Sequence, residues 1–119
     1  MKLWIDDVRP APEGCLWLRS VGEAEAFILS YEWWLNGELD EADFDWLDDI
    51  SADDCGYIEL IDIDHDAGDY ASEGGDYIKL LDWFEETGRN YPIRIHSMNP
   101  VGVANMRAII QRNGWKEVK

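Results

Sequence analysis

Both histidines of the chain, His65 and His96, follow short apolar runs and have polar, reactive neighbours. Ile61-Asp62-Ile63-Asp64 leads into His65-Asp66, and Ile93-Arg94-Ile95 leads into His96-Ser97, with Asn99 just beyond. A third run, Lys2-Leu3-Trp4-Ile5, ends in Asp6-Asp7 and then Arg9. Imidazoles exchange protons near neutral pH and suit acid–base work on a phosphodiester. Crowded carboxylates repel one another unless a cation lies between them, and oxygen donors of this kind suit Mg²⁺ or Mn²⁺ better than a structural zinc. Arg9 and the first amides of a helix opening at Asn99-Pro100 could bind phosphate oxygens. Singly, each has a plainer reading. Adjacent aspartates are common in loops, a lone histidine is more often a core or cap residue, and Arg9 has many acidic neighbours with which to form a surface ion pair.

Strand ends are what would bring these groups together. Apolar runs predict strands over residues 2–5, 15–19, 57–64, 91–96 and 115–119, the third nearly continuous in apolar character, as a central parallel strand is. Between them, Ser20 with Glu23 three places on predicts a helix start, and Ala24, Phe27, Ile28, Tyr31 and Leu35 continue it to Asn36-Gly37. A second helix is predicted over 76–87, stopped by Gly88, and a third over 99–113 with proline at its first position and Gly114 after it. Phe44, Trp46, Leu47 and Ile50 suggest a short amphipathic helix within the acidic stretch 36–56. Alternating strands and helices mean a single α/β domain over 1–119 with a mainly parallel sheet. In such sheets ligands bind beyond the carboxyl ends of the strands. Asp62, inside the third strand, finds no role from alternation alone.

Composition narrows the partners. The 119 residues carry 26 Asp and Glu against 10 Lys and Arg, a formal charge of −16. No Lys or Arg occurs from Ser20 to Ile78, a stretch holding 19 acidic residues. That surface repels a phosphate backbone, so non-specific nucleic-acid binding is excluded as an expectation. A small phosphorylated ligand fits only where arginine, amides or a metal reverse the local sign. An acidic face for a protein partner is the other option. Cys15 and Cys55, 40 residues apart, suggest a reduced, cytoplasmic chain, with Cys15 a small apolar strand residue. No run of 18 apolar residues predicts a membrane span, and Asp6-Asp7 interrupts the start too early for a signal peptide.

An acidic pair after the first strand, an acidic group after the third and a hydroxyl residue after the fourth resemble receiver domains of response regulators. That resemblance implies a flavodoxin-like, three-layer fold with a five-stranded sheet and the first and last helices reduced or absent. It aligns Asp6 and Asp7 with the metal-binding pair, Asp64 with the phospho-acceptor and Ser97 with the Ser/Thr after strand four. Lys119 falls near the receiver lysine. Three ordered motifs, Asp6-Asp7-Val8-Arg9-Pro10, Asp64-His65-Asp66-Ala67-Gly68 and His96-Ser97-Met98-Asn99-Pro100-Val101-Gly102, depart from ordinary receivers. They resemble the receiver-derived family proposed to process cyclic phosphates. The resemblance implies hydrolysis or binding of a cyclic phosphodiester. His65, His96, Asp64 and Asp66 would be catalytic. Arg9, Ser97, Asn99 and Asn105 would bind substrate, and Asp6, Asp7 and Asp64 would hold Mg²⁺ or Mn²⁺. Two alternatives stand beside it: a degenerate receiver that accepts phosphate or serves protein interaction, and an acidic nucleic-acid mimic.

Overall fold

A computed structural model describes residues 1–35 and 58–119; the predicted amphipathic helix of the acidic stretch lies outside them. Four strands, β1 (Lys2–Ile5), β2 (Cys15–Leu18), β3 (Leu60–Ile63) and β4 (Ile93–Ile95), form one parallel sheet in the order β2-β1-β3-β4. Three helices accompany it: α1 (Val21–Leu35), α2 (Ile78–Thr87) and α3 (Pro100–Asn113). The β1–β2 crossover, residues 6–14, contains no helix. No helix among the described residues is long and apolar enough to cross a membrane.

Strand alternation divides the sheet into two unlike faces. Leu3, Ile5, Ile61, Ile63 and Ile93 are all fully buried and share one core with Val21, Ala24, Phe27 and Ile28 of α1, Leu81 and Phe84 of α2, and Met106 and Ile110 of α3. Each such side chain contributes roughly 1.5–3 kcal/mol on leaving water. Right-handed crossovers running in one direction along the sheet place successive helices on one side, and α1 packs on α2 and α2 on α3 accordingly. The other face carries Lys2, Trp4, Asp62 and Arg94. Among the described residues it has no helix, so the expected third layer is not formed by them.

Local chemistry explains where the elements begin and stop. The Ser20 hydroxyl accepts the Glu23 amide at 3.0 Å, and Asn99 caps α3 by accepting the Gly102 amide at 3.0 Å, with Pro100 at the first helical position. Gly88 and Gly114 close α2 and α3 in the left-handed conformation. The apolar face of α1 runs out before its end: Tyr31 is buried, whereas Leu35 is exposed. Trp34 packs on the core while Trp33 is exposed, and Cys15 is half-buried, which pushes its thiol up.

Two predictions need correction. α2 begins at Ile78, not 76, because the Asp76 carboxylate leaves the helix pattern to accept the Ala67 amide at 3.1 Å. Ahead of it, Gly68–Glu73 forms a 3₁₀ helix. The fifth strand is reduced to one parallel bridge, Ile93 to Glu117, with the Ile93 amide donating to Lys116 and the Val118 amide donating back to Ile93. β4 is only three residues long, and the Glu117 side chain is drawn to Arg107 of α3 by three hydrogen bonds of 2.8–3.0 Å.

Candidate functional site

The sheet ladder runs one residue past three strands and so fixes the backbone of the predicted site. The Asp6 amide donates to Leu18 O at 3.2 Å, the Asp64 amide to Ile5 O at 2.9 Å and the His96 amide to Ile63 O at 2.9 Å. Asp6, Asp7 and Asp64 thereby offer carboxylate oxygens within 4.8 Å of one another. Asp6 is fully buried and Asp64 is 8% exposed.

Asp6 is tightly held. Its Oδ1 accepts the amides of Val8 at 3.1 Å and Arg9 at 3.0 Å, an Asx-type turn that shapes the β1–β2 loop. Its Oδ2 lies 2.9 Å from Nε2 of His96. Burial works to raise the Asp6 carboxyl, but the Arg9 amide, the His96 ring and the Val8 amide together hold it below the ordinary carboxylate value. Asp7 goes the other way: burial, then the Asp6 and Asp64 carboxylates beside it, push it up. Asp64 Oδ1 accepts the amide of His65 at 2.7 Å. The donor set of this trio fits a hard divalent cation. Asp6 Oδ1 accepts two amides, but its Oδ2 keeps a lone pair beside the His96 contact, so Asp6, Asp7 and Asp64 are the carboxylates that could hold it.

His96 has no ring nitrogen left over. Its Nδ1 lies 2.6 Å from Asp62 Oδ1, its Nε2 faces Asp6, and its ring stacks on Trp4 at 3.8 Å between centroids and 5° between planes. Two ionised carboxylates accept only, so both contacts are hydrogen bonds when the ring carries both protons. The loop above is pinned by indoles: Trp4 Nε1 donates to Arg9 O at 2.9 Å and Trp17 Nε1 to Asp6 O at 2.8 Å. Among the described residues Arg9 forms no ion pair; its guanidinium donates to His96 O at 3.0 Å, tying the β1–β2 loop to the end of β4.

His65 belongs to a second, adjoining group. Its Nδ1 is 2.8 Å from Asp66 Oδ1, and Asp66 also accepts from Asn99 Nδ2 at 3.3 Å. The His65 ring foremost, then the Asn99 amide, hold the Asp66 carboxyl below its ordinary value against slight burial. Asp76 brings a carboxylate oxygen within 4.8 Å of the same cluster. The ring rests against Gly102 in the first turn of α3, where a Cβ would fall inside van der Waals contact of it. Among the described residues the Nε2 of His65 has no hydrogen-bond partner. Ser97 Oγ accepts the Asn99 amide at 3.2 Å between the two groups.

The predicted residues thus fall into two neighbouring sets, Asp6–Asp7–Asp64–His96 and His65–Asp66–Asn99, joined through the Asp64–His65 peptide and the Ser97–Asn99 turn. Among the described residues no hydrogen bond joins the two imidazoles or gives them a shared partner. Asn105 is exposed on α3, and no hydrogen bond links it to either set. Lys119 is exposed, and no ion pair links it to the acidic trio. Sequence reasoning missed Trp4, Trp17, Asp62 and Asp76. The period-two pattern across Trp4 and Asp62 carried the signal for two of them, since it sets both on the helix-free face with His96. A family model described as a cyclic-phosphate processing receiver domain matches residues 1–112. No curated protein and no solved structure matches the chain.

Proposed function

The chain belongs to the family of cyclic-phosphate processing receiver domains, and on that premise we propose that it binds and opens a cyclic phosphodiester. The ligand class is a cyclic mononucleotide or a 2′,3′-cyclic phosphate end. One observation carries the chemistry: Asp66 orients His65 through Nδ1 at 2.8 Å and leaves Nε2 unengaged at the mouth of α3. That is the arrangement of a general base steadied by a carboxylate. Nε2 takes a proton from water as the water oxygen attacks phosphorus. It returns that proton to the ester oxygen as the ring P–O bond breaks, leaving a phosphomonoester. Ser97, Asn99 and the guanidinium donors of Arg9 would bind the non-bridging oxygens.

His96 takes a different part in this proposal. With both nitrogens held by carboxylates, it secures Asp6 and does not shuttle protons. Asp6, Asp7 and Asp64 would hold Mg²⁺ or Mn²⁺, which when bound would neutralise charge on the phosphoryl oxygens. Hydrolysis of 2′,3′- and 3′,5′-cyclic mononucleotides, with and without either cation, tests the proposal. His65→Ala should lower kcat by about 10²-fold or more. Turnover indifferent to that substitution would remove His65 from the reaction.

The near-buried Asp64 beside Asp6 and Asp7 favours one second reading, phosphate acceptance at Asp64 as in a receiver. Beryllofluoride with Mg²⁺ should then shift the amide resonances of Asp64 and Ser97. Unmoved resonances would count against it.

A further inference from the structure

Asp62 lies inside β3, 6% exposed, where an ionised carboxylate is costly unless partnered. Strand register sets Trp4 on one side of it and Arg94 on the other. Its Oδ1 is 2.6 Å from His96 Nδ1, and its Oδ2 is 3.8 Å from the Arg94 guanidinium. Trp4 lies flat against the His96 ring. A hydrogen bond on one ring edge and an indole against one ring face leave the imidazole a single orientation. That orientation aims Nε2 at the buried Oδ2 of Asp6.

We infer that Asp62 is a positioning residue for the strand-end site. It acts through His96: the Asp62–His96–Asp6 chain fixes the Asp6 carboxylate, whose other oxygen holds the Val8 and Arg9 amides. The β1–β2 loop, and with it Asp7 and the Arg9 side chain, is set by a carboxylate on the helix-free face of the sheet. Supporting groups of this kind change affinity or activity by about 10–100-fold when removed. The link to turnover rests on the proposed function; the link to His96 does not.

The test compares Asp62→Ala, Asp62→Asn and Arg94→Ala with the unsubstituted chain. In ¹⁵N-edited NMR the unsubstituted chain should show a hydrogen-bonded Nδ1–H signal for His96. Asp62→Ala should lose that signal and Asp62→Asn should shift it upfield, whereas Arg94→Ala keeps it. With a 2′,3′-cyclic mononucleotide, kcat/KM should fall by about 10-fold or more in Asp62→Ala. Asp62→Asn is nearly isosteric and decides the matter if the alanine variant does not fold. His96 ring signals unchanged in the Asp62 variants would overturn the inference. If the unsubstituted chain turns over no cyclic phosphate, the proposed function fails and the His96 signals alone decide the role of Asp62.

Discussion

Nε2 of His96 and the buried Oδ2 of Asp6 stand 2.9 Å apart across 90 positions of sequence, and each completes the other's hydrogen bonding. Removing the ring leaves a fully buried carboxylate without its hydrogen-bonding partner. Breaking such a buried pair costs about 3 kcal/mol or more. His96→Ala should therefore lose about that much stability in urea unfolding. His65→Ala, whose ring among the described residues pairs with one exposed carboxylate, should lose about 1 kcal/mol or less. Equal losses from the two would contradict the division of the site into two sets.

Gly102 leaves room for the His65 ring at the start of α3. A methyl group there overpacks the contact at a cost of about 1–3 kcal/mol and forces the ring away from Asp66. Gly102→Ala should thus resemble His65→Ala in turnover while keeping its helix content. Full activity in the glycine variant would place the reacting nitrogen elsewhere.

Asp7 is held above its ordinary value of 3.8 by burial and by Asp6 and Asp64. Between its unfolded value and its raised folded value the native state binds the extra proton, so this group makes stability fall as pH rises through that window. Asp7→Asn should melt higher than the unsubstituted chain at pH 7, and the difference should vanish below the ordinary carboxylate value. A divalent cation should offset the same repulsion. Mn²⁺ at ten times its Kd should stabilise the unsubstituted chain by about 1.4 kcal/mol and Asp7→Asn much less. Melting temperatures across pH 3–7 with and without Mn²⁺ check both statements.

Glu117 has the opposite sign. Its hydrogen bonds from Arg107 hold it below 4.5, against slight burial. The pair's contribution is present above the unfolded value and is lost as pH falls through the depressed folded one. Glu117→Gln should flatten the acid limb of the stability curve and loosen the tail from β4. Tail amides of residues 116–118 exchanging with deuterium at the same rate in both proteins would contradict this.

The helices, the parallel α/β class and the strand-end location of the reactive residues were legible in the chain, because caps, glycine stops and apolar periodicity are local signals. Ser20, Asn99-Pro100, Gly88 and Gly114 mark boundaries that their own backbone hydrogen bonds enforce. The short fifth strand and the late start of α2 were not legible, since each turns on one distant acceptor, Glu117 for Arg107 and Asp76 for Ala67. Sequence likewise named Asp6, Asp64, His65 and His96 but gave no partners to them. Only the sheet register, which seats Asp62 beside Trp4 and under His96, decided that one imidazole is locked between carboxylates and the other keeps a nitrogen unengaged. Pairing of that kind depends on side-chain direction across neighbouring strands, a quantity that linear spacing does not contain.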